Sequence, residues 1–171
     1  MPCLASAQTA VERDEFIKAM ALVASSVTVV TTDGPSGRFG QTVSSFCSVS
    51  ADPPQMLCCL RKESPICAAI DGNGCFAINI LSARQACLAD SFAGRPTGGS
   101  RYDFSSGDWE PDTLGAPVLL SATSSLSCKL RSCIEANTHL IYLGTVVAVG
   151  SDLAPPLMYR SQAYGSYLPF Y

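Results

Sequence analysis

Gly40-Gln41-Thr42-Val43-Ser44-Ser45-Phe46-Cys47-Ser48-Val49-Ser50 runs between Phe39 and the sequence Asp52-Pro53-Pro54. Its β-branched, aromatic and small hydroxyl residues predict one strand from Phe39 to Ser50, stopped by the prolines. Side chains alternate across a strand, so Thr42, Ser44, Phe46, Ser48 and Ser50 are expected on one face. That face carries four hydroxyls and one aromatic ring, while Val43, Ser45, Cys47 and Val49 opposite are small. Such a strand lets a flat ligand reach the backbone and offers donors to a carbonyl edge. A solvated strand face rich in Ser and Thr has the same composition, and the stretch alone does not separate the two.

Working outward, Val27 to Thr32 is β-branched and reads as a strand, ended by the turn cluster Asp33-Gly34-Pro35-Ser36-Gly37. Before it, Thr9 and Glu12 form a capping box, and Phe16, Met20 and Val23 recur at helical spacing. That helix is expected to cover one face of a sheet. Downstream, Met56 to Leu60 is a third strand. Ser64-Pro65 opens a short helix that Gly72 ends, and Cys75 to Leu81 is a further strand. Ser82 and Gln85 make a second capping box, for a helix to about Ala93. Gly94 to Trp109, rich in Gly, Ser, Arg and Asp, reads as a long surface excursion of the kind often used for function. Val118 to Leu120, Ser125 to Ile134, Thr138 to Val149 and Leu157 to Tyr159 complete the strands. Thr138 to Val149 is apolar on both faces, so one face needs a cover such as a helix or a second subunit. Many strands with few short helices, no repeat and no boundary imply a single antiparallel barrel domain over residues 1–171.

Composition narrows the partners. Of 171 residues, 47% are hydrophobic and only 15% charged, with net charge −3 and no basic run. Mean hydropathy is +0.24 and the pI is near 5.0. Nucleic acid and anionic membrane surfaces are therefore poor partners, and no apolar run approaches the roughly 20 residues that span a bilayer. The nine cysteines are odd in number and lack a CxxC, and no signal peptide precedes them. They read as reduced cytoplasmic thiols packed as small hydrophobes. Cys128, Cys133 and the single histidine, His139, fall short of a four-ligand zinc site, so no metal is expected.

Several chemistries lack their sequence. There is no GxGxxG after a strand, no Walker A motif and no GxSxG elbow. Candidate anion-binding cations are Arg61-Lys62, before the helix at Ser64, and Arg84 beside Gln85 at the next helix start. Tyr159 to Gly165 places Arg160 between Tyr159 and Tyr164 next to a glycine, which fits either a lid or an end strand.

Taken in order, these segments resemble the short-chain flavin reductases, the reductase components of two-component flavin-dependent monooxygenases. The resemblance is carried by Phe16 to Met20, Val27 to Thr32, the Gly40–Ser50 strand with Pro53-Pro54, and Ser64-Pro65. It continues through Phe76 to Asn79, Gln85, Leu88 to Gly94, Thr138-His139 with Gly144 and Val146, and Tyr164-Gly165. It implies a mainly β (α+β) fold: an antiparallel split β-barrel of the FMN-binding type with a few short covering helices, as a homodimer. It also implies FMN or FAD as the bound ring and NADH or NADPH as hydride donor. The ring contacts carry over to Thr42, Ser44, Ser45, Ser48, Val49 and Ser50. The ribityl phosphate region carries over to Arg61, Lys62 and Ser64, with Asn79, Gln85 and Phe92 near the flavin. His139 corresponds to the nicotinamide docking position, and Tyr164 to the segment that closes over it. Asn137 stands where the family usually has Gly; Asn tolerates positive φ, so the turn is expected to persist. The implied reaction passes hydride from nicotinamide C4 to flavin N5, and reduced flavin leaves for a partner monooxygenase. Two rivals share the barrel: a pyridoxamine-phosphate-oxidase-like oxidase, and a flavin store or redox sensor without turnover.

Overall fold

The computed structural model describes residues 10–170. Thr9, and with it the first capping box, lies outside the described residues. Twelve strands and three short helices follow in chain order: α1 (Arg13–Ala21), β1 (Ser25–Ser26), β2 (Thr28–Thr32), β3 (Phe39–Val43), β4 (Phe46–Ala51) and β5 (Pro54–Arg61). Then come α2 (Pro65–Asn73), β6 (Cys75–Ile80), α3 (Ala86–Phe92), β7 (Trp109–Pro111) and β8 (Pro117–Leu119). β9 (Ser124–Ala136), β10 (His139–Ser151), β11 (Leu157–Arg160) and β12 (Ala163–Ser166) close the chain.

The main sheet is antiparallel, in the order β3-β2-β6-β9-β10-β5-β4. Its two border strands, β3 and β4, are neighbours in sequence, joined by Ser44-Ser45 alone. Two linking residues reach only about 11 Å between Val43 and Phe46, so the sheet must curl until its borders meet at that end. The Cys59 amide donates to the Ser45 carbonyl at 2.9 Å and fastens the link to β5. The sheet is not closed by a ladder between β3 and β4: this is an α+β split barrel, as expected.

Central strands β2 and β6 are buried along almost their whole length, so they are covered on both sides. Inside the curl, Val30, Cys58, Leu60, Phe76, Ile78, Cys128 and Tyr142 form the core, with Ile66 and Ile70 of α2 packed among them. Outside it, Val27, Val29, Leu81, Leu88, Phe92, Leu119 and Leu157 make a second core under α3 and β8. The eight cysteines among the described residues are free, and Cys58, Cys67, Cys75 and Cys128 are buried as small apolar residues.

Four sequence readings are corrected. The Phe39–Ser50 strand is broken at Ser44-Ser45, and a register shift between Ser48 and Ser50 disturbs β4 again, so the five-residue face does not persist. The helix from Pro65 ends two residues later than expected, because Gly74, with φ 72°, supplies the left-handed cap. α1 buries no residue within the chain and so covers no sheet face here. β7 was not expected, because the excursion read as irregular up to Trp109. Of the lid and the end strand that Tyr159 to Gly165 offered, the strand forms, as β12; Ser161 and Gln162 take φ of 49° and 63°, which makes a two-residue hairpin turn without a glycine. That turn has a structural task, since Ser161 and Arg160 donate to the Ala21 and Leu22 carbonyls at the end of α1.

Candidate functional site

β3 presents Gly40 and Thr42 toward α3 and the excursion that follows it. Gly40 lies so close to Phe92 that an added Cβ would stand 2.6 Å from its ring. Thr42 Oγ1 donates to the Ala89 carbonyl at 2.7 Å, which leaves its lone pairs as acceptors. Beyond it, Thr42, Val43 and Ser44 form one wall of a cleft of about 160 Å³, whose other walls are Val27, Ala93, Arg95, Tyr159 and Tyr164.

α3 ends in a Schellman motif. Gly94 (φ 73°) donates to Ser91 O and Arg95 donates to Asp90 O at 2.9 Å. That motif sets Arg95 at the cleft. Tyr164 OH donates to Asp90 Oδ1 at 2.8 Å, and its ring packs against Tyr159 with centroids 5.4 Å apart. Burial first, then the hydrogen bond to Asp90 and that residue's charge, hold the phenol well above its ordinary range. Tyr164 is therefore a neutral, fixed side chain at physiological pH.

A second cavity, of about 270 Å³, opens farther along β3 between Arg38, Phe39, Gly40, Ser64, Pro65, Ile66, Tyr102 and Phe104. Ser64 precedes α2 and donates its hydroxyl to Gln41 Oε1, and its oxygen accepts from no helix amide. Buried Ser91 pins the excursion over this cavity, through Ser100 O at 3.0 Å and the Tyr102 amide at 3.1 Å.

The residues named from the sequence fall into distinct places. Thr42, Ser44 and Tyr164 meet at the first cleft, and Ser64 lines the second cavity. Ser45 is exposed at the link. Ser48 and Val49 are exposed on β4, where Ser50 Oγ pairs with the Asp52 backbone. His139 opens β10 with Nδ1 2.9 Å from Thr138 Oγ1, and it stands opposite Arg61 on the β5–β10 ladder. From Ser45 the ladder passes through Cys59 to Ile141, so His139 lies on the order of 10 Å across the sheet from the link. Asn137 takes φ 51°, and the turn before His139 is kept.

Three of the named residues are engaged within the fold, away from both cavities. Asn79 is fully buried, its amide donating to Val29 O and Thr31 Oγ1 and its carbonyl accepting from Leu119 N, so nothing remains for a ligand. Phe92 is fully buried in an aromatic cluster with Phe104 and Trp109. Lys62 pairs with Glu135 and does not line the cavity that holds Ser64. Gln85 accepts from Ser82 N and donates to Ser121, as one arm of a helix start. Arg38, Gln41 and Arg95 were missed. Arg38 follows the turn cluster and Arg95 opens the excursion, neither of which points to a ligand by itself, while Gln41 lies within the opening stretch on the face opposite Thr42.

The walls mix apolar and aromatic side chains with the hydroxyls of Thr42, Ser44 and Ser64 and the cations Arg38 and Arg95. A flat heteroaromatic ring with a polar edge and an anionic tail fits them. Among the described residues no His/Cys/Asp/Glu cluster could hold a metal ion, and no helix is long and apolar enough to cross a membrane. A split barrel with such a cleft defines a ring-binding cofactor protein. Residues 20–167 match the sequence profile of the flavin reductase like domain. The chain belongs to the flavin reductase family. It is 37% identical over 156 residues to the FMN reductase (NADH) RutF of Ancylobacter novellus, covering 91% of this chain and 85% of that one. Its fold superposes with a TM-score of 0.82 on the NADH:FAD oxidoreductase SgcE6 of Streptomyces globisporus, solved with NAD and FAD fragments. That pair is 28% identical and covers 92% and 94% of the two chains. The flavin reductase of styrene monooxygenase from Pseudomonas putida S12 aligns with a TM-score of 0.78 and 25% identity, over 91% and 99%.

Proposed function

We propose that this protein is an NAD(P)H-dependent flavin reductase that passes hydride from reduced nicotinamide to FMN or FAD and releases reduced flavin to a partner monooxygenase. The observation that carries the reading is the convergence of Thr42, Ser44 and Tyr164 on a cleft of mixed polarity at the open seam of the split barrel. It is supported by family membership and by relatives named for NADH-dependent flavin reduction. The flavin supplies the redox chemistry; the protein's part is orientation and exclusion of water. In this reading Thr42, Ser44 and Ser45 meet the ring edge, Ser48, Val49 and Ser50 extend that wall, and Tyr164 and His139 border the nicotinamide. Non-covalent donors of this kind allow reduced flavin to depart. The monooxygenase partner is supported by the likeness to the styrene monooxygenase reductase. NADH, free thiols and released flavin suit a cytoplasmic setting.

The working unit of this reading is a homodimer of single-domain chains. Val49, Ile134, Val147 and Val149 are exposed on β4, β9 and β10, and α1 exposes Phe16, Ile17 and Met20. A second copy is the simplest cover for that much apolar surface on a chain with so few charges. Sedimentation should give a two-chain mass that falls toward one chain in Ile134→Lys; a wild-type monomer would end this proposal. The reaction itself is tested by following NADH and NADPH consumption with and without added FMN or FAD. Turnover that saturates with free flavin is expected. Bound flavin without nicotinamide oxidation would instead indicate a storage protein.

A further inference from the structure

We propose that Arg38, on the turn between β2 and β3, is the residue that binds the phosphate of the flavin, in the cavity it shares with Ser64. The assignment rests on the flavin-reductase reading above and replaces the cations expected from the sequence. Lys62 is tied to Glu135, and Arg61 faces His139 across the β5–β10 ladder. Neither lines the cavity in which Ser64 sits, whereas Arg38 does.

The geometry around Arg38 suits an anion. Its guanidinium carbon lies 4.2 Å from the centroid of Phe104, so the planar group is held by stacking rather than by a carboxylate. The one acidic neighbour, Asp33, approaches only Nε, at 3.8 Å, and both groups are partly solvated, so that pair is weak. Among the described residues neither terminal nitrogen has a hydrogen-bond partner, and the pair of them matches two phosphate oxygens. Ser64 adds a hydroxyl, and α2 starts at the cavity with its positive dipole end. Tyr102 forms part of the roof in a left-handed conformation (φ 55°), its hydroxyl seated against Gly94, where a Cβ would stand 2.8 Å away. A loop residue held against its backbone preference marks a roof built to shape. The two cavities follow one another along β3, Phe39 and Gly40 lining one and Thr42 and Val43 the other. A ring in the first and its tail in the second would lie along a single strand.

FMN and riboflavin differ only by the phosphate, which makes the assignment testable by binding alone. Fluorescence titration of the wild-type protein should show FMN bound more tightly than riboflavin. In Arg38→Ala, FMN affinity should drop about tenfold to a hundredfold, the range for losing charge-assisted hydrogen bonds. Riboflavin affinity should stay within about twofold. Arg38→Met keeps an apolar stem on Phe104 and should show the same selective loss if the alanine variant folds poorly; Arg38→Lys should recover part of it. Equal FMN affinity in the wild type and both neutral variants would overturn the assignment, as would a selective loss that follows Arg61→Ala or Lys62→Ala instead. A wild-type protein that binds neither flavin would overturn the flavin-reductase reading itself, a different outcome from either.

Discussion

His139 shows how little a single side chain says until its neighbours are known. Alone it is an ordinary half-buried histidine; on the ladder it faces Arg61, two strands over from the Ser44-Ser45 link. In the proposed reading His139 borders the nicotinamide, and it lines neither cavity, so its replacement by alanine leaves the walls of both intact. His139→Ala should therefore raise the KM for NADH about tenfold and change flavin affinity less than threefold, as expected for loss of one polar contact. Steady-state kinetics beside a flavin titration check this, and the opposite pattern would move His139 into the ring site. Asn79 and Phe92 teach the converse lesson. Both sit in segments that match the family, yet each is sealed inside the protein, where Asn79 ties β8 to β2 and Phe92 packs on Gly40. Position in a motif did not reveal which way these side chains point.

At the level of elements, the alternation of β3 is the part of the site that sequence reading reached. Gly40 and Thr42 do share a face, but the pattern ends where the strand ends, at Val43, before Ser44. Ser44 and Ser45 have ordinary strand propensities, so no local signal marks the break. What forces it is global, because a sheet with consecutive border strands must turn there. Most strand positions from β2 to β11 were legible because β-branched runs and proline or glycine stops are local. The three-residue β7 was not, and β12 was legible only as one of two alternatives, since its turn uses Ser161 and Gln162 in a conformation that glycine usually supplies. The wall built by β3 gives a direct test. Ser44→Trp fills a cleft of only about 160 Å³ from its exposed rim. Thermal stability should be nearly unchanged, while flavin binding weakens by at least a hundredfold, about 3 kcal/mol or more. Retained binding in a folded variant would place the ring elsewhere.

Across the whole molecule, the thiols set an alkaline limit. Burial raises Cys58 far above its ordinary value near 9 and pushes Cys128 up to about 12. The folded state thus keeps protons that the unfolded chain gives up as pH passes 9. Stability is full below that pH and falls as pH rises toward the folded values, each thiol removing about 1.4 kcal/mol by pH 10. Urea unfolding at pH 7, 9 and 10 should show this decline, and Cys58→Val with Cys128→Val should flatten it; a level profile in the wild type would contradict the burial. The Ser44-Ser45 link has a consequence of another kind. β3 keeps its ladder to β2 and β4 keeps its ladder to β5 whether or not the two residues between them are joined. Severing the peptide there would remove no ladder and expose no buried core residue, yet it would unfasten the two lips of the cleft. Foldability and ligand affinity are thus separable at one bond, and a chain circularly permuted to begin at Ser45 would be a stable shell with a slack mouth.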